Sequence, residues 1–149
     1  MTALFIIDVQ KGYIEKYEDG LVSNINRRIQ LAAENGELVV YIKNIRKLRS
    51  GSTAYDFADG LTVSSPHLIL KEKASVFSDP GLLELLHQHS VTEIEIIGID
   101  GSCCVASSAV DACKLGFHVT LPCEFIGVQN MTKFEERKKK LAKAGITIL

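Results

Sequence analysis

The stretch IIGIDGSCCVASSAVDACKLG, residues 96–116, decides how this chain folds. An apolar run stops at Gly98, turns through Gly101 and Ser102, and restarts as a small-residue segment led by Cys103 and Cys104. The run EIEIIGI (93–99) reads as a buried strand, and residues 104–115 read as a helix that Gly116 ends, because glycine readily takes the left-handed conformation that closes helices. Strand, glycine turn and helix in succession are one half of a parallel crossover.

The same alternation extends outward in both directions. LFIIDV (4–9) is too uniformly apolar for a strand wet on one face and suits one covered on both. A helix is expected over about 23–35, with Ile25, Ile29 and Ala32 on one stripe and Gly36 as its stop. ELVVYIKN (37–44) and HLILK (67–71) are the second and third strands. Asp79-Pro80 reads as an N-cap followed by proline in the first turn, opening a helix to about His89. HVTLPCEF (118–125) is the fifth strand, with Pro122 suggesting an edge position or a bulge. Thr132 to Glu135 has the form of a capping box, starting a basic-faced helix to about Ala144, and ITIL (146–149) closes the series. The expected fold is α/β: a three-layer α/β/α, Rossmann-like domain on a mostly parallel open sheet of about six strands, spanning 1–149 as one domain. Residues 45–66, polar and rich in glycine and serine, read as a functional loop.

Composition narrows the class of function. At 149 residues, 46% hydrophobic and 23% charged, the chain has the makeup of one ordinary globular domain. A formal charge of −1 gives no reason to expect nucleic acid or a membrane as partner. MTALFIIDVQ lacks a cationic leader, and no run reaches membrane-spanning length, so the expected location is cytoplasmic. Cys103, Cys104, Cys113 and Cys123 lack paired C-x-x-C spacing, which favours reduced thiols over disulfides or structural zinc. Gly98-x-x-Gly101 lacks the G-x-G-x-x-G spacing of a dinucleotide site.

Open parallel sheets bind ligands beyond the carboxyl ends of their strands. That rule gathers Asp8, Lys71 and the turn before Cys104 on one edge. A thiol at a helix start lies near unpaired N–H groups that favour thiolate and could hold an oxyanion. On that reading Cys104 is the first cysteine to be alkylated near neutral pH. Cys103 and Cys104 read equally well as small buried hydrophobes. Asp8, after four apolar residues, is either a base able to take the thiol proton or a turn acceptor. Lys71 is either electrostatic support for the thiol or a solvated strand end, with Lys73 a rival two residues on. Lys43, Arg46, Lys47 and Arg49 cluster near this edge, as contacts for an acidic substrate or as a solvated face. His67, His87, His89 and His118 form no metal pattern with Asp8.

Three motifs in order resemble those of the isochorismatase-like cysteine hydrolases, a family that includes nicotinamidases and N-carbamoylsarcosine amidohydrolase. LFIIDVQ (4–10) resembles the strand ending in a catalytic aspartate. Lys71-Glu-Lys-Ala-Ser75-Val-Phe77 resembles K-x-x-x-S-x-F, which selects Lys71 over Lys73. Gly98 to Val105 resembles G-x-x-T-x-x-C-V, which selects Cys104 over Cys103 and puts Gly101 where the family has threonine. Glu124 stands where an aspartate is common. The resemblance implies a triad of Asp8 (base), Lys71 (electrostatic support) and Cys104 (nucleophile), and an oxyanion turn of Asp100, Gly101 and Cys104 with a cis peptide near Ile99-Asp100. It also implies substrate contacts from Gln10, Tyr13 and Phe77, a homo-oligomer (dimer or tetramer), and hydrolysis of a small amide, imide or ureido compound. No cofactor is expected, and no metal either, because the family's metal-binding histidines have no counterpart here.

Overall fold

The computed structural model describes residues 1–46 and 52–149. Six strands, β1 (Thr2–Ile7), β2 (Leu38–Asn44), β3 (Leu68–Lys71), β4 (Glu93–Gly98), β5 (His118–Leu121) and β6 (Thr147–Ile148), form one sheet in the order β3-β2-β1-β4-β5-β6. Every pairing is parallel. β1 lies at the centre, which is why its residues 3–7 are apolar without alternation and buried on both faces.

The two faces carry separate cores. A short helix α1 (Lys11–Ile14) and the long α2 (Leu21–Glu34) cover one face, where Leu21, Ile25, Ile29 and Ala32 meet Leu4, Ile6, Val39, Tyr41 and Ile97. Helices α3 (Pro80–Gln88), α4 (Ala106–Lys114) and α5 (Met131–Lys143) cover the other, with Leu82, Leu86, Ala109, Ala112, Phe134 and Leu141 packed on Phe5, Ile7, Val40, Ile42 and Ile96. Among the described residues, no helix is long and apolar enough to cross a membrane.

Several local expectations are corrected. Cys104 does not begin an α-helix; it lies in a wide π-type turn, Gly101–Val105, and α4 proper starts at Ala106. Pro122 marks no edge strand, since β5 sits between β4 and β6; it ends β5 at Leu121 and precedes a 3₁₀ turn, Cys123–Phe125. α5 is capped by Asn130, whose side-chain oxygen accepts the Lys133 N–H at 3.0 Å, so Thr132 already lies inside the helix. Asp79 caps α3 as its sequence suggests, accepting the Gly81 N–H at 2.7 Å.

Candidate active site

Three strands end at one point. β1 stops at Ile7, and Asp8 follows with φ of 57°, a left-handed turn that aspartate tolerates better than most residues and that lifts the chain off the sheet. β3 ends in Lys71, paired in register with Asn44 at the end of β2. β4 ends at Gly98 with φ of 112°, where a side chain would overlap the backbone of Ile7. Past it comes a cis Ile99-Asp100 peptide, then the turn that carries Cys104.

Lys71 is the hub. Its Nζ donates to Asp8 Oδ2 at 3.1 Å, to the carbonyl of Lys73 at 3.1 Å and to Cys104 Sγ at 3.3 Å. Three donors on one ammonium are thereby matched by three acceptors. Asp8 and Lys71 are 4% and 2% exposed, so this is a buried pair, not a surface contact. Lys73 contributes only its backbone oxygen. Among the described residues, Asp8 Oδ1 is buried without a hydrogen-bond partner.

Burial raises the Asp8 carboxyl above the usual carboxylate range, and Lys71, Cys104 and Asn44 draw it partly back down. For Cys104, burial and the Asp8 charge together outweigh Lys71 and push the thiol up to about 11. That direction favours a resting thiol over the ready thiolate expected from the helix start. The helix-start argument ignored desolvation and the neighbouring carboxylate.

The turn before the thiol is tightly determined. Gly101 donates its N–H to Gly127 O at 2.9 Å, so it is not free to serve as an oxyanion donor. A Cβ at Gly101 would meet Phe134 and Val128 at 2.9 Å and Ile126 at 3.0 Å, which accounts for glycine at this position. Ser102 N–H is held by Asp100 Oδ1 at 2.9 Å, and the N–H groups of Cys103 and Val105 both reach Asp100 O at 3.1 Å. Behind the turn, Ser108 of α4 accepts the Val76 N–H at 3.1 Å and ties the helix to the segment after Lys71.

The expected substrate contacts divide. Gln10 is fully buried and spends its amide on the backbone, donating to Asn44 O and Tyr55 O and accepting from Asn44 N–H, so it braces β2 and has no group to spare for a ligand. Phe77 is half-buried and packs against Phe5 and Phe117, with ring centroids 6.1 and 6.4 Å away. Tyr13 stays near the site: burial and the charges of Asp8 and Cys104 raise its phenol, whose hydroxyl donates to Arg46 O at 3.4 Å. Lys43 lies over the rings of Tyr55 and Phe57, 4.9 and 4.3 Å from their centroids. Arg46 is exposed, and Lys47 and Arg49 lie outside the described residues. Asn44, beside Asp8, and Tyr17, bonded to Asp100, are site residues that sequence reasoning missed. The strand-end rule would have found Asn44. Tyr17 gave no signal.

An all-parallel α/β/α sheet with a carboxylate, an ammonium and a thiol packed at its carboxyl edge defines a Rossmann-like protein with a thiol site. The isochorismatase domain model matches residues 2–147, and the chain belongs to the isochorismatase family. It is 28% identical over 153 residues to maleamate amidohydrolase of Pseudomonas putida, covering 84% of this chain and 71% of that one. It is 28% identical over 134 residues to streptothricin hydrolase of Streptomyces noursei, covering 82% of this chain and spanning 48% of that enzyme. A probable inactive nicotinamidase of Arabidopsis thaliana is 24% identical over 146 residues, covering 78% and 74%. Among solved structures, pyrazinamidase of Pyrococcus horikoshii in complex with zinc superposes with a TM-score of 0.89 at 22% identity, over 99% of this chain and 98% of that one. That similarity concerns the fold. Among the described residues here, no group of three His, Cys, Asp or Glu is placed to hold a metal ion.

Proposed function

We propose that this chain is a cysteine hydrolase that cleaves a C–N bond of a small amide, imide or ureido compound through a thioester on Cys104. The observation that carries the reading is the single buried ammonium of Lys71 touching both Asp8 and Cys104 Sγ. A lysine held this way serves no surface role, and its charge lies where an attacking sulfur gains negative charge.

The chemistry follows from the raised thiol. With Cys104 resting as a thiol, the neighbouring Asp8 carboxylate takes the proton as the S–C bond forms. The substrate carbonyl oxygen becomes an oxyanion. Four N–H groups of the turn, those of Gly101, Ser102, Cys103 and Val105, are committed elsewhere, so we assign the oxyanion to the N–H groups of Asp100 and Cys104. Asp8 returns the proton to the leaving nitrogen, the C–N bond breaks, and a thioester remains. Water, deprotonated by Asp8, then attacks the thioester carbon; the S–C bond breaks, the acid is released, and the sulfur recovers its proton from Asp8. The raised carboxyl of Asp8 suits a group that must both take and return a proton.

The amidohydrolase relatives support this class of reaction. The name of the plant relative favours a second reading, a small-molecule-binding protein without turnover. A panel of small primary amides, imides and ureido compounds, assayed for substrate loss and acid formation with wild type and Cys104→Ser, separates the two. Turnover lost in the variant supports the hydrolase; equal turnover by both proteins refutes thiol catalysis, and no turnover by either leaves the binding reading ahead.

A further inference from the structure

We propose that Tyr17 is a positioning residue for acyl transfer, acting through the Asp100 carboxylate to hold the oxyanion turn; the assignment rests on Cys104 being the nucleophile. Asp100 occupies both sides of that turn. Its carboxylate gathers four donors: Oδ1 accepts from the Ser102 N–H at 2.9 Å and the Ser102 hydroxyl at 2.8 Å, while Oδ2 accepts from the Gln129 N–H at 2.9 Å and the Tyr17 hydroxyl at 3.1 Å. Its backbone carbonyl takes two more N–H groups from the same turn, those of Cys103 and Val105. The residue whose own N–H we assign to the oxyanion is thus fixed by its side chain to segments far away in sequence.

Tyr17 is the one side chain among these partners that comes from outside the turn. It follows α1, and its ring packs where Gly127 leaves space: a Cβ at Gly127 would meet Tyr17 Cδ1, Leu21 Cδ2 and Ile99 Cγ2 at 2.7 Å each. The ring is therefore located by packing and the hydroxyl by Asp100, two independent constraints on one residue. Burial and the Asp100 charge hold the phenol well above its ordinary value, so it remains a donor throughout the working pH range. Removing the hydroxyl leaves Oδ2 with the Gln129 N–H alone and takes away the one side-chain restraint from outside the turn, so the carboxylate and the peptide it carries are held less tightly. An oxyanion donor a few tenths of an ångström out of place weakens the transition state while leaving the ground-state thiol as it was.

That distinction gives the test. Acetyl transfer from p-nitrophenyl acetate to Cys104 passes through a tetrahedral oxyanion; alkylation of the same sulfur by iodoacetamide displaces iodide at a saturated carbon and forms none. Both rates are measured at Cys104 by peptide mapping, with Cys104→Ser as the control. Tyr17→Phe should lower the acylation rate constant about tenfold, a fraction of what deleting an oxyanion donor costs, and leave alkylation and its pH profile within about twofold. Asp100→Asn keeps one acceptor oxygen but loses the other, so it should lower acylation further with the same selectivity. Unchanged acylation in Tyr17→Phe, or acylation and alkylation falling in parallel, overturns the assignment. Absence of Cys104-dependent acylation in wild type overturns the nucleophile reading itself, and the assignment falls with it.

Discussion

Replacing Lys71 by methionine should cost this protein more stability than replacing its partner Asp8 by asparagine, although both changes break the same ion pair. The asymmetry follows from what each leaves behind. Without the ammonium, Asp8 keeps a carboxylate 4% exposed, with Oδ1 already unbonded and Oδ2 stripped of its donor. An orphaned buried charge of this kind costs about 3–5 kcal/mol. Without the carboxylate charge, Lys71 still donates to the Lys73 carbonyl and to Cys104 Sγ, and the new asparagine can accept from it, so Asp8→Asn should cost about 1–2 kcal/mol. The double variant should be more stable than Lys71→Met alone, because the charge that made the single change costly is gone; the coupling should amount to about 2 kcal/mol. Urea denaturation of the four proteins at neutral pH measures the cycle. Additive losses, or equal losses in the two single variants, would refute the claim that Lys71 is the compensating charge of a buried site.

Three further outcomes follow from the site's electrostatics and packing. The native Cys104 thiol is raised from 9.0 to about 11, so the stability it contributes is complete below about 9 and lost as pH climbs to 11. The stability gap between wild type and Cys104→Ser should therefore narrow over that window by up to about 2 kcal/mol, at roughly 1.4 kcal/mol per unit reduced for partial exposure; a gap that does not move between pH 9 and 11 contradicts the raised thiol. Near neutral pH, iodoacetamide should modify the exposed Cys103 before Cys104, as peptide mapping would show. Gly101→Ala should lower stability by about 1–3 kcal/mol, because the new methyl meets Phe134, Val128 and Ile126 at once; calorimetry finding no loss would show that those side chains yield freely.

What was legible in the sequence was whatever depends on local period or on strand ends. Unbroken apolar runs marked the central strands, Asp79-Pro80 marked the start of α3, and the strand-end rule brought Asp8, Lys71 and Cys104 to one edge. What was not legible depends on partners distant in the chain. Tyr17 reaches Asp100 across 83 positions, and glycine at 101 makes sense only once Phe134 is known to press against it. Gln10 carries a motif position that suggests a ligand contact, yet its side-chain amide is bonded to the backbone of Asn44 and Tyr55. The thiol's surroundings were not legible for a related reason: position in a turn is local, whereas desolvation and the Asp8 charge come from the assembled site.

The thioester on Cys104 is the central claim, and intact-protein mass spectrometry after rapid acid quench tests it most directly. With p-nitrophenyl acetate as acyl donor, wild type should gain one acetyl group within the burst, mapped to Cys104 and released by hydroxylamine as thioesters are. Cys104→Ser should show no burst, and Asp8→Asn should acquire the group far more slowly, lacking the base that removes the thiol proton. An acetyl group that maps to Cys103 or to a lysine instead, with Cys104 unmodified through the burst, would contradict the account.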